Sequence, residues 1–147
     1  MKDNSFISDL QFGNYFENKV IELLFEGKEN IQIFQAPTCR FCDWDFKVEN
    51  TSTGEITYYE VKADKAVLKT QNFFIETQSK NNSKSGLETT KANFYILVKP
   101  TPDLKEIDCL YQVETSYLHK LKDKPSTNYR RSYTGAYGFL VSEKELI

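Results

Sequence analysis

The chain carries only one histidine and three cysteines in 147 residues. It has no apolar run long enough to span a bilayer, and its opening Met1-Lys2-Asp3-Asn4-Ser5 leads into a polar segment unlike a secretory signal. An odd thiol count without such a signal argues against a disulfide framework and for a reducing, cytoplasmic compartment. Thiol and imidazole are also too scarce for a convincing zinc site. Cys39-Arg40-Phe41-Cys42 has zinc-like spacing, but the remaining partners are Cys109 and His119, far apart and joined by no motif. Cys42 reads instead as a buried strand residue. A positive excess is missing too, since the net charge is −2, and nucleic-acid binders ordinarily carry a basic footprint. No internal repeat or second domain is visible. Residues 1–147 read as one α/β domain whose Phe and Tyr content supplies bulk for a central mixed sheet flanked by helices.

What is present is a pair of alternating segments rich in acids. Phe41 to Val48 places Cys42, Trp44, Phe46 and Val48 on one face and Asp43, Asp45 and Lys47 on the other. Ile56 to Ala63 places Glu60 and Lys62 on one face and Val61 and Ala63 on the other. Asn50-Thr51-Ser52-Thr53-Gly54 between them is turn chemistry. A four-residue loop that pairs Asn50 with Glu55 runs back to oppose Asp45 to Glu60, and opposed residues have Cβ atoms about 5 Å apart. Two facing carboxylates repel unless a cation neutralises them, and an all-oxygen donor set favours Mg2+, with Mn2+ as a substitute, over zinc. Lys62 would project beside that cation, able to orient an attacking water or to neutralise charge on a phosphate oxygen. An isolated Glu-x-Lys triplet is common on solvated strands, so the opposed Asp gives the pattern its weight.

Further segments add to this hairpin. Asn72 to Gln78 alternates as a third strand, with Phe74, Glu76 and Gln78 on one face and Phe73, Ile75 and Thr77 on the other. Glu76 is an acid in an apolar strand, either part of the site or the partner of a nearby lysine. A first helix is expected from an Asp9 cap to Gly27, packing Phe12, Phe16, Val20 and Leu24 on the sheet. Glu17 borders that stripe, whereas Glu22 lies on the wet side with Asn18, Lys19 and Glu26. Between Lys62 and Lys99 seven lysines face three acids, so positive charge is concentrated there. Lys65, Lys69, Lys80, Lys84 and Lys91 from this stretch, with Arg130 and Arg131, are the expected phosphate contacts. The run Tyr129-Arg130-Arg131-Ser132-Tyr133 suits phosphate grip and base stacking, or simply a solvated hairpin loop. Phe94–Val98, ended by Pro100 and Pro102, Cys109–Val113 and Tyr137–Val141 read as strands. Thr115 or Ser116 reads as the cap of a helix reaching about Lys122, and Ser142-x-x-Glu145 is a capping box.

The order helix-Glu, Asp, Glu-x-Lys resembles the PD-(D/E)XK nuclease superfamily. The strings D-F-K-V, Y-Y-E-V-K-A-D, N-F-F-I-E and S-G-L-E-T-T-K-A-N-F-Y-I-L-V resemble its small phage and bacterial members related to Holliday-junction resolvases. The likeness covers about Phe12 to Val98 and implies a restriction-endonuclease-like core. It implies Asp45 and Glu60 as magnesium ligands, the Val61 carbonyl as a third donor, Lys62 as the catalytic lysine and Glu17 as the helix glutamate. Glu76 and Gln78 match the polar positions of the next strand. The proline that names the superfamily is absent, Trp44 preceding Asp45, which leaves a choice between Asp45 and Asp43. Asp45 is preferred because an apolar residue follows it and the hairpin register opposes it to Glu60. Asp43 is then expected to face Lys62 in a supporting position.

The resemblance implies a Mg2+-dependent DNA endonuclease in a bacterial or phage-infected cell, with no membrane partner, and its resolvase side implies selectivity for branched DNA. A resolvase would act as a symmetric homodimer. The rivals are an end-processing or non-specific nuclease of the same fold, which need not dimerise, and a silent relative that binds DNA or protein. An intact Asp, Glu, Lys set argues against the last.

Overall fold

The computed structural model describes residues 5–37 and 43–147. Helix α1 spans Ser5–Phe25, beginning ahead of the expected Asp9 cap, and Gly27 follows it at φ +77°, a left-handed position that glycine takes without a Cβ clash. Strand β1 is Ile31–Gln35, β2 Phe46–Asn50 and β3 Ile56–Ala63. A single turn of helix, α2 (Val67–Thr70), leads to β4 (Asn72–Gln78), and β5 is Phe94–Pro100. After β6 (Ile107–Glu114) come α3 (Thr115–Lys122), β7 (Asn128–Arg131) and β8 (Tyr137–Ser142). The Ser142 capping box forms as expected and starts a 3-10 turn, Glu143–Leu146. Helix α3 has Glu114 as its cap residue, because the Thr115 hydroxyl is committed to the Ala92 carbonyl at 2.8 Å.

Five strands form a mixed sheet in the order β1-β2-β3-β5-β6, with β3 and β5 parallel. The other three form an antiparallel sheet in the order β4-β8-β7. Alternation along β5 shows why the layers stack as they do. Ile96 and Val98 join Phe46, Val48 and Tyr59 under Phe16 and Val20 of α1. Tyr95 and Leu97 point the other way, into a cluster with Phe73, Ile75, Phe139 and Val141 of the smaller sheet and Leu118 and Leu121 of α3. A strand buried on both faces reads as a continuous apolar run, and Tyr95 to Val98 is one. Phe16 and Val20 are fully buried, each worth roughly 1.5–3 kcal/mol of apolar burial. The expected mixed sheet is therefore present, with a helix on one face and mainly the second sheet on the other.

Three local departures bear on the site. The ladder between β2 and β3 follows the expected register, from the Asn50 N–H donating to Glu55 at 2.8 Å as far as Phe46 opposite Tyr59. It stops there: Asp45 donates its N–H to the Tyr59 carbonyl at 2.8 Å, so it lies one residue short of direct pairing with Glu60. Trp44, expected beside Phe46, lies across the strand against the ring of Tyr58, 5.2 Å between centroids. The expected strand start at Phe41 and the pair Cys39 and Cys42 lie outside the described residues. Finally, β5 continues past Val98 to Pro100 through a register shift between Lys99 and Pro100, where a proline costs no ladder hydrogen bond.

Candidate active site

The kink at the end of β2 puts Asp45 to work as an acceptor. Its Oδ2 receives the Val61 N–H at 2.7 Å, the bond a continued strand would have taken with its backbone. Glu60 follows on β3, its side chain 16 % exposed, with the Lys62 amine 3.7 Å from Oε2. Thr90 lies over this corner, donating to the Asp43 carbonyl at 3.0 Å and standing 3.4 Å from Glu60 Oε1. Sequence reading did not single out Thr90, because its role comes from a loop that crosses the kink.

Electrostatics mark this corner as short of positive charge. Burial pushes Glu60 up to about 7; Lys62 opposes the shift and Asp45 adds to it. Burial also raises Asp45, against the Val61 N–H and Lys62. For Lys62 burial favours the neutral amine, but Glu60, Asp45 and Glu76 outweigh it and hold the group above its ordinary value, as an ammonium. Glu17 reaches the same corner from α1: burial and the Asp45 charge raise it to about 7, while Gln35 Nε2, donating to Oε1 at 3.3 Å, pulls it down. Gln35 belongs to β1, a strand the sequence reading did not identify.

Glu76 comes to the corner from the other layer. It lies on β4 in the smaller sheet, so the third strand expected to extend the β2–β3 hairpin belongs to another layer, although the Glu76 charge acts on Lys62 and Tyr95. The Ser85 hydroxyl donates to Glu76 Oε2 at 2.6 Å. Gly86, at φ +55°, packs so closely that a Cβ there would come within 2.3 Å of the Glu76 carbonyl. Gln78 closes β4, opposite Tyr137 and bridged to Lys84. Asp64, also unflagged by sequence, ties the layers together by accepting the Ala66 N–H at 2.9 Å and the Phe74 N–H at 3.2 Å.

Asp43 does not face Lys62. Its carboxylate is 3.7 Å from the Lys91 amine and its carbonyl accepts the Lys91 N–H at 3.0 Å. The kink at Asp45 breaks the alternation that would have carried Asp43 to the lysine. Lys91, one of the expected phosphate contacts, is thereby engaged in that ion pair.

Of the remaining basic residues, Lys65, Lys69, Arg130 and Arg131 line two clefts that meet at Lys62, and Lys80 and Lys84 line neither. One, about 640 Å³, is lined by Phe12, Val61, Lys62, Lys65, Lys69 and Tyr133, with the Lys65 amine 4.7 Å from the Phe12 ring centre. The other, about 560 Å³, includes Lys62, Glu76, Arg130, Arg131 and Tyr133. Arg130 and Arg131 belong to a true hairpin, β7–β8. Arg131 braces its turn, donating to the Gly135 carbonyl at 3.0 Å and to Asn82 Oδ1 at 2.9 Å. Lys80 backs the same turn, its Cβ 3.2 Å from where a Cβ on Gly135 would stand, and Lys84 lies on the adjoining loop. Among the described residues, no three His, Cys, Asp or Glu side chains form a metal-holding group, and no helix is long and apolar enough to cross a membrane. Comparison of the chain with protein-family models, curated proteins and solved structures finds no match.

Proposed function

We propose that the protein is a Mg2+-dependent DNA endonuclease of the PD-(D/E)XK kind, with α1, the β2–β3 hairpin and the parallel strand β5 as its nuclease core. The observation that carries this reading is that half-buried Asp45 and Glu60 act on one another's charge beside the Lys62 ammonium, 3.7 Å from Glu60. One ammonium serves the charges of Asp45, Glu60 and Glu76, so the corner fits a further cation. Its donors are carboxylate and carbonyl oxygens, which suit Mg2+ or Mn2+. Two carboxylates, Asp45 through the oxygen not given to Val61 and Glu60, would hold it together with the Val61 carbonyl. When bound, the cation supplies Lewis-acid stabilisation of the phosphate's negative charge.

The chain's own groups account for the rest of the reaction. A water attacks phosphorus, a new P–O bond forms, and the bond to the leaving sugar oxygen breaks. Lys62, held protonated, does not accept the water's proton; it orients the water and stabilises charge building on the phosphate oxygens. Glu17, near neutrality in its titration, is the group suited to receive that proton. Lys65 and Lys69 in one cleft and Arg130 in the other would hold phosphates on either side of Lys62. Tyr133, 90 % exposed at the hairpin tip between the clefts, offers a stacking face to an unpaired base, which favours branched DNA over plain duplex. The test is incubation with four-way junction, flap, duplex and single-stranded DNA, with Mg2+ and with EDTA. Cleavage is expected only with Mg2+ and is lost in Glu60→Gln; failure to cut or bind any of these DNAs overturns the proposal.

A further inference from the structure

Beneath the acids lies a hydroxyl that packing does not explain. Tyr95 stands opposite Glu60 in the parallel pair β3–β5, so the two side chains share the face turned toward the smaller sheet. The residue is 1 % exposed, and its hydroxyl has no hydrogen-bond partner among the described residues. Burial, then the charges of Glu60, Asp45 and Glu76, drive its ionisation well above the ordinary phenol range, so it stays a hydrogen-bond donor. A buried donor left unmade is destabilising, and the neighbours Phe73, Ile75 and Leu97 would accept a phenylalanine ring without that cost. The hydroxyl is therefore a structural liability unless the acid corner holds something for it to donate to. None of the three carboxylates lies within hydrogen-bond reach of it.

We propose that Tyr95 is a positioning residue whose hydroxyl donates to a water accompanying the divalent cation held by Asp45 and Glu60. The inference rests on the divalent-cation reading above. The phenol orders the cation's hydration on the side facing the smaller sheet, opposite α1, and so favours one arrangement of the cation on Asp45 and Glu60. Groups of this kind, one step removed from the ligands, change metal affinity by about 10- to 100-fold.

Tyr95→Phe separates this role from a packing role. In EDTA the variant should melt at or above the temperature of the wild-type protein, because an unmade buried donor has been removed. Titration with Mn2+ by calorimetry should show affinity weakened about tenfold or more, with DNA binding in EDTA unchanged. Affinity for Mn2+ equal to wild type overturns the inference and leaves the nuclease reading standing. A variant that loses stability in EDTA together with its Mn2+ affinity also overturns it, since the hydroxyl would then be structural. A wild-type protein that binds no divalent cation overturns the metal reading itself.

Discussion

Asp45 and Asp43 lie two residues apart yet enter different networks, and that difference is testable. Asp45→Asn keeps an oxygen to accept the Val61 N–H, so the fold should persist while metal-dependent cleavage disappears. Glu60→Gln should behave alike, and Lys62→Ala should lose turnover while still binding Mn2+ in a calorimetric titration. Among the described residues Asp43→Asn breaks an ion pair with Lys91, whose side chain is 77 % exposed, and should change stability by less than about 1 kcal/mol and activity little. Full cleavage by Asp45→Asn with loss in Asp43→Asn would reverse the assignment. Titration gives a second residue-scale expectation. Glu60 and Glu17 move from 4.5 when unfolded to about 7 in the fold, so between those values the native protein binds more protons. Stability without metal must then fall as pH rises through that window, the reverse of an ordinary salt-bridged carboxylate. Melting curves in EDTA should show this slope for wild type and a flatter one for Glu60→Gln, with Mg2+ restoring stability at the upper end. A wild-type slope no steeper than that of Glu60→Gln would count against a carboxylate kept protonated by burial.

The β7–β8 hairpin distinguishes bracing from binding. Both arginines line the cleft shared with Lys62, but Arg131 also donates to Gly135 and Asn82 and lies over the Tyr137 ring. Arg131→Ala should therefore destabilise the protein by about 1 kcal/mol, measured by urea denaturation. Arg130→Ala should leave stability within about 0.5 kcal/mol and lower the salt dependence of DNA binding by about one unit of log–log slope. Tyr133→Ala should weaken binding to single-stranded or branched DNA by about 1–3 kcal/mol and spare duplex. Equal losses on duplex and branched DNA would remove the stacking role. Charge counting alone misjudges such a surface, because Arg131 of this hairpin, Lys91 ahead of β5 and Lys99 on β5 are each occupied, Lys99 by Glu143 at 3.2 Å.

At the scale of the whole molecule, the two clefts meet at Lys62, and the acids come from the bend beside β2, from β3 and β4 and from α1 rather than from one sheet. Cleavage should therefore depend on how the smaller sheet docks, and variants that loosen this contact should lower activity before they unfold the larger sheet. If the resolvase likeness extends to function, the protein is a two-fold dimer that prefers a four-way junction to duplex at equal salt. Light scattering and a junction-against-duplex competition check both points. A monomer that cuts both equally leaves the nuclease proposal in place and eliminates the resolvase form of it.

Strands β3 and β4 run over the residues their alternation indicates, the apolar stripe of α1 packs on the sheet with Phe16 and Val20 fully buried, and the hairpin register holds to Phe46. All of these rest on local signals: a two- or four-residue period, a turn of fixed length, a capping box. Ile31–Gln35 escaped because five residues, none of them fully buried, offer too short a pattern. Where β4 would pair was not written locally either, since Phe73, Ile75 and Thr77 would suit any apolar face; the complementarity of Tyr95, Leu97, Phe139 and Val141 decided it. The site divides along the same line. The types and spacing of Asp45, Glu60 and Lys62 were legible in the chain itself. The kink that turns Asp45 toward Val61, the Lys91 partner that takes Asp43 away, the Thr90 contact and the burial of the Tyr95 hydroxyl were not. Each depends on segments distant in sequence, and hydrogen bonds and desolvation act only once those segments are packed against one another.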